Sequence, residues 1–269
     1  MEKKRVMAAA AILAATAAGL LVLAAVTGIF IGFVSKLIPH RQPETLNELA
    51  YTMDKRNGNT VYIREETAGY QPYLVVDNDY NGDGNVLLLR KYVLDEWQTY
   101  HIYYQRAAYY ENSNLDDYLS NRYLDTLQEE LSARIVQSRI EIIAKSAYYG
   151  EDPDTIQIER KAFLLSFSEM APRGSPNGYI HEGKPLNYFY DDPGRMAVTD
   201  ENGKASGWWL RTPSMAGDTV AIAVGSDGRI GFAAVDNYIG VRPAFCLPRD
   251  VGIEESEEAV PGEKVYVIR

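Results

Sequence analysis

Hydrophobic and polar positions follow two regimes along this chain. After Lys3, Lys4 and Arg5 the sequence runs uncharged from Val6 to Val34, 29 residues, where about 20 suffice to cross the hydrocarbon core of a bilayer. The run predicts one uncleaved transmembrane signal anchor. Cutting at Ala15-Thr16-Ala17 would leave Leu20 to Val34 as an apolar stub on the product, whereas a secretory signal ends at its cleavage site. Beyond it the period shortens to two. Val220, Ile222 and Val224, then Ile230, Phe232 and Ala234, alternate with smaller or polar residues on either side of Gly225-Ser226-Asp227-Gly228, which predicts a hairpin closed by an Asp-Gly turn.

The same reading extends over the rest. Residues 1–36 form a cytoplasmic tip and anchor, and 37–58 a juxtamembrane connector with a short helix over Thr45–Met53. Strands are expected at Thr60–Arg64, Tyr70–Val76 and Val86–Arg90. Ser113–Gln128 carries Leu115, Tyr118, Leu119 and Tyr123 near a 3.6-residue period behind a Ser113 cap, so an amphipathic helix is expected there. Alternation returns over Ile135–Ala144. Tyr148–Ile158 reads as a loop, Lys161–Phe167 as a buried strand, and Ser168 as the start of a short helix. Residues 171–206, rich in Gly, Pro, Asn and Asp, form a long irregular stretch of the kind that is functional or disordered. Gly207–Leu247 reads as four strands in one small antiparallel sheet, with Pro243 placing the last at an edge or a bulge. An acidic turn at 254–258 and a strand at Lys264–Ile268, pairing with an N-terminal one, end the chain. The expected fold class is α+β: one globular domain over 59–250 with small antiparallel sheets and long loops, then 251–269 as acidic turn and C-terminal strand.

Two segments of the last sheet are distinctive. Trp208-Trp209-Leu210-Arg211-Thr212-Pro213 and Gly240-Val241-Arg242-Pro243-Ala244-Phe245 resemble the closing motifs of an uncharacterised bacterial domain family, in which VLLLRKYVLD (86–95), SNLDDYLSNRYL (113–124) and AFLLSFSEM (162–170) recur in the same order. In outline that family is similar to C-type-lectin-like folds, shared by formylglycine-generating enzymes and retroelement-diversified variable proteins. The resemblance implies a lectin-like domain with long binding loops in the irregular stretch, and it implies no activity. Formylglycine-generating enzymes use a pair of cysteines, and Cys246 stands alone here.

Charge narrows the partners. The chain carries −10, and setting aside residues 1–41, with five basic residues and one acidic one, leaves −14 on the remainder. Such a surface does not suit nucleic acid, whose phosphates call for clustered Lys and Arg. Three basic residues and the amino terminus, against Lys36 and Arg41 beyond the run, favour a cytoplasmic N-terminus and residues 42–269 outside the cell. Gly28 and Gly32 have the small-xxx-small spacing of helix pairs, a candidate homodimer contact, set against the general abundance of glycine in such helices.

Candidate chemistry is sparse. Asp77, Asp79, Asn81 and Gly82 imitate the start of an EF-hand loop, with Asp83 following, but position 12, which should be a bidentate Glu, is Leu88. A plain turn built on Asn81-Gly82 and Asp83-Gly84 is preferred to a calcium site, and no cofactor is expected. Tyr188, Tyr190, Asp191 and Asp192 combine rings with carboxylates in the manner of sugar sites, although Asp-Asp-Pro-Gly is also a turn; Asp236, Asn237 and Tyr238 are counted with them as ligand contacts. Trp208, Trp209, Arg211, Pro213, Arg242 and Pro243 are assigned to the scaffold. One tryptophan should face the core and its neighbour the outside, and each arginine should grip a carboxylate. No zinc spacing, phosphate loop or nucleophile elbow is present. These features describe a membrane-anchored, extracytoplasmic binding or structural module for a glycan or protein ligand, without catalysis. Two alternatives remain: a divergent cell-wall or glycan hydrolase, which needs two carboxylates across a cleft, and a structural subunit of a membrane complex.

Overall fold

Valine, isoleucine, leucine and tyrosine dominate the runs between the turn residues of this chain, and the computed structural model turns almost all of these runs into strands. It describes residues 42–51, 59–102, 108–149, 154–170, 180–189, 197–200, 203–214 and 219–269, and Pro43–Arg269 make one unit. The strands are β1 (Thr60–Glu65), β2 (Gly69–Asp77), β3 (Asn85–Arg90), β4 (Ser138–Ile143), β5 (Thr155–Arg160), β6 (Ala162–Phe163), β7 (Ala197–Val198), β8 (Ala205–Ser206), β9 (Trp208–Pro213), β10 (Val220–Val224), β11 (Ile230–Ala234), β12 (Ala244–Pro248), β13 (Ile253–Ser256) and β14 (Val265–Ile268).

Seven of them form one sheet in the order β13-β14-β1-β2-β3-β12-β6. The β1–β2 hairpin closes at Gly69, with φ +69°, and the β2–β3 turn uses Asn81, Gly82 and Gly84, all at positive φ. The strand at the chain's end pairs with an N-terminal one as expected: β14 lies parallel to β1, Val61 opposite Tyr266. The helix Leu46–Tyr51, α1, buries Leu46 and Leu49 in the core beside this sheet.

The expectation of an α+β, C-type-lectin-like fold is overturned. Among the described residues strands prevail, and no helical element exceeds six residues. The misreading has two sources. Ser113–Gln128 does not form one helix: Ser113 Oγ accepts from Asp116 N at 3.1 Å, capping α2 (Asn114–Tyr118) as expected, but the chain then widens into a π-type turn and tightens into a 3-10 turn. Part of the expected Tyr148–Ile158 loop is strand β5, which pairs with β4 throughout, Ile140 opposite Ile158. Two further helices are short, α3 (Glu129–Arg134) and α4 (Phe167–Met170). No helix among the described residues is long and apolar enough to cross a membrane; the expected span, with Gly28 and Gly32, lies outside them.

The four-strand meander also needs correction. β9, β10 and β11 form a three-stranded sheet, but β12 sits inside the large sheet between β3 and β6. Pro243 stands just ahead of β12, where its carbonyl accepts from Arg90 N at 2.9 Å and its missing N–H costs nothing. The Trp208–Pro213 and Gly240–Phe245 segments meet through backbone instead. Trp209 N donates to Gly240 O at 3.0 Å and Gly240 N to Gly207 O at 3.2 Å. A Cβ on Gly240 would lie 2.6 Å from that Gly207 oxygen, so only glycine permits the approach. Both tryptophans are fully buried, against the one-in, one-out expectation. The register of β9 on β10 shifts between Ala221 and Ala223, and β9 is covered on both faces, so strict alternation no longer separates core from surface.

Candidate functional site

The β10–β11 hairpin holds its turn as the sequence requires. Gly225 N donates to Arg229 O at 2.7 Å, Asp227 Oδ1 accepts from Arg229 N at 3.0 Å, and Gly228 takes φ +81°. Across from the hairpin, Gln98 and Ile239 exchange backbone hydrogen bonds of 3.1 and 3.2 Å, which brings the Trp97 and Tyr238 segments to the same edge. Between them opens a shallow cleft of about 420 Å³ lined by Trp97, Phe232 and Tyr238 and also by Gly225, Gly231, Asp227 and Arg229. Trp97 is 46% exposed, Phe232 58% and Tyr238 70%; with Ile102 they are the exposed large apolar side chains among the described residues. Three of the four therefore border one groove. Folding leaves such area in water only against the hydrophobic driving force, so its concentration at one place makes this groove the candidate site.

Outside the groove the scaffold is held by buried arginines. Arg211 uses all five of its N–H groups: Nε on Glu141 O, Nη1 on Leu164 O and Glu169 Oε2, Nη2 on Glu169 Oε1 and Glu182 O, at 2.7 to 3.1 Å. Arg90 does the same with Glu65, Gln71 and the Tyr92 and Val93 carbonyls. Tyr73 donates to Glu65 and shares a 2.6 Å contact with Tyr123, and burial raises both phenols well above their ordinary range. Arg211 grips a carboxylate as its residue type suggests.

Arg242 does not. Its Nε donates to Arg90 O at 2.9 Å, its guanidinium lies over the Trp208 ring, and its buried Nη1 has no hydrogen-bond partner. Among the described residues no carboxylate pairs with it, and burial, opposed by Tyr188 and reinforced by the Arg90 charge, pulls it down to about 10. The expectation of a carboxylate staple is corrected here to a cation on an indole face.

The other candidate residues disperse. Tyr188 is half-buried and packs edge-on against Phe189 at 4.9 Å, in the core rather than in the groove. Tyr190, Asp191 and Asp192 lie outside the described residues. Asp236 and Asn237 are exposed in the turn that leads to Tyr238, and of the three only Tyr238 borders the groove. In the EF-hand-like loop, Asp77 Oδ1 and Asp79 Oδ1 accept from Asp79 N and Gly84 N, Asn81 Nδ2 donates to Arg139 O, and Arg139 and Arg249 face Asp83 and Asp79 at 3.0 and 3.4 Å. These oxygens serve a turn, and among the described residues no group of three His, Cys, Asp or Glu is placed to hold a metal ion.

Trp97, Glu169 and Glu182 carry weight in the structure and were not singled out by sequence. A lone tryptophan in a polar segment, Asp-Glu-Trp-Gln, was the available signal for the groove; Phe232, read with Ile230 and Ala234 as the apolar side of its strand, is instead the most exposed residue of β11.

A family model described as a domain of unknown function, DUF6273, matches residues 83–249, more than half of the chain. The chain belongs to this family. The DUF6273 match contains the groove, the Trp208–Pro213 and Gly240–Phe245 segments and strands β4 to β12, together with β3, whereas α1, β1, β2, β13 and β14 fall outside it. The DUF6273 region thus supplies the β3-β12-β6 side of the large sheet, and flanking chain supplies β13-β14-β1-β2. No curated protein and no solved structure matches the chain.

Proposed function

We propose that this protein is a recognition module whose groove takes the apolar face of sugar rings in a glycan. The observation that carries this reading is the gathering of Trp97, Phe232 and Tyr238 around one shallow cleft. Aromatic faces suit pyranose rings, which present C–H groups on one side and hydroxyls at the edge, and the Asp227–Arg229 pair offers both an acceptor and donors to those hydroxyls. Among the described residues one carboxylate, Asp227, borders the groove, whereas glycosidases place two across the scissile bond, so binding without hydrolysis is the better reading. The net −10 charge disfavours polyanionic ligands such as nucleic acid.

The uncharged run 6–34 and its basic flank support a place at the outer side of a cell membrane. We read the Trp-Trp-Leu-Arg-Thr-Pro and Gly-Val-Arg-Pro-Ala segments as the scaffold signature of the domain, since both are buried and lock to one another. Co-sedimentation of the full-length chain with insoluble peptidoglycan, chitin and cellulose tests the ligand class. Retention on at least one, lost in Trp97→Ala and in Tyr238→Ala, supports it; retention on none, or retention that both variants keep, overturns it.

A further inference from the structure

Glu182 is fully buried, and every group it touches belongs to another part of the fold. One carboxylate oxygen accepts from Ile143 N, at the end of β4, at 2.9 Å; the other meets the Thr212 hydroxyl of β9. Its own N–H donates to Ser168 Oγ on α4, and its carbonyl accepts from Ser166 Oγ and Arg211 Nη2. Around this residue the segment 180–189 is tied down further: Gly183 N donates to Glu141 Oε2 and Leu186 N to Glu169 O.

The charges in this cluster do not balance. Arg211 is its buried cation, all five of its donors are committed, and the one carboxylate it holds is Glu169. Around the cluster stand Glu141, half-buried, and Tyr80, which donates to Glu169 at 2.6 Å; Asp77 adds negative charge from farther off, and His181 and Lys184, on the segment itself, are exposed. A second carboxylate without a guanidinium fork of its own is costly to ionise in such a place, and burial, only partly offset by Arg211 and by the Thr212 and Ile143 donors, pushes Glu182 up to about 7. Ionised, it accepts from the Thr212 hydroxyl and from Ile143 N; protonated, it keeps the Ile143 N–H and turns its own O–H to Thr212 Oγ1, which also accepts from Phe167 N at 2.7 Å.

We infer that Glu182 is a proton-operated latch, which holds the segment 180–189 on β4, β9 and α4 while its carboxyl keeps its proton and loosens that segment when the proton leaves. The latch is separate from the groove and does not depend on what the groove binds. The sign follows from linkage: the docked state binds a proton that the undocked state, with an ordinary glutamate, gives up at lower pH, so docking weakens as pH rises. Between pH 6 and pH 8 the opening constant of the segment should rise about tenfold.

Hydrogen exchange on the full-length chain, corrected for the intrinsic pH dependence of exchange, reads this at the amides of Ile143, Leu186 and Phe189. The wild type should lose about tenfold in protection over that interval, while Glu182→Gln, whose amide copies the protonated acid, should stay flat. Protection that is flat in the wild type, or that falls equally in Glu182→Gln, would overturn the latch. Carboxyl carbon NMR of the wild type adds a check that needs no variant: a buried glutamate titrating near neutrality supports it, and all glutamates titrating in the ordinary carboxylate range contradict it.

Discussion

The guanidinium carbon of Arg242 lies 4.6 Å from the centre of the Trp208 ring. One residue stands just ahead of β12, an inner strand of the large sheet, the other opens the first strand of the small one, and together with the Gly207–Gly240 backbone contact they form the joint between the two sheets. The joint is unusual in leaving a buried cation without a carboxylate. Its worth therefore comes from packing and from the face of the indole, against a standing cost of desolvation.

That balance predicts a difference between two substitutions. Arg242→Met keeps the volume over Trp208 and removes the buried charge, so its unfolding free energy should fall within about 1 kcal/mol of the wild type or above it. Arg242→Ala leaves a cavity over the indole and should cost about 2 kcal/mol more than Arg242→Met. Urea unfolding midpoints of the full-length chain measure both, and equal losses would show that the charge, not the packing, matters.

Arg211 and Glu169 make the opposite case, a fully buried pair with every donor used. Glu169→Gln leaves the guanidinium facing a neutral amide and should destabilise by about 3–5 kcal/mol. Replacing both partners, as Arg211→Met with Glu169→Leu, should cost less than the two single losses added together. A double-mutant cycle by chemical denaturation gives the coupling directly.

Glycine positions separate close approach from open space. Gly240→Ala forces a Cβ to 2.6 Å from Gly207 O and 2.8 Å from Val93 Cγ1. Backbone has to shift, at a cost of about 1–3 kcal/mol. Gly231→Ala, with nothing within 4 Å of the new atom, should change stability by under about 0.5 kcal/mol. Thermal unfolding of the two variants side by side checks the contrast.

Local chemistry was legible in the sequence and long-range pairing was not. The Asp227-Gly228 turn, the β2–β3 turn at Asn81–Gly84 and the Ser113 cap each rest on a few adjacent residues, and each is present. The closing strand was also readable as a partner for an N-terminal one, although nothing local specified that β14 would run parallel to β1. By contrast, β12 could not be placed by pattern. Ala244–Leu247 is buried on both faces, and an apolar run fits the small sheet as well as the large one until its partners, β3 and β6, are known. Trp208 and Trp209 defeated the period-two rule because β9 is bulged and covered on both sides. Glu169 and Glu182 were illegible as a cluster, since their common partner Arg211 lies 42 and 29 residues away.

The groove itself offers the most direct test of function. The chain has three tryptophans, of which Trp208 and Trp209 are fully buried and Trp97 is 46% exposed at the groove, so a ligand stacking there must act on Trp97 emission. Titration of the full-length chain with soluble chito-oligosaccharides, cello-oligosaccharides and muropeptides, followed by tryptophan fluorescence, should give a saturable blue shift and reduced acrylamide quenching for one of these classes, both absent in Trp97→Phe. Saturation by none of the three, or an unchanged response once Trp97 is replaced, would contradict the assignment of this groove to glycan recognition.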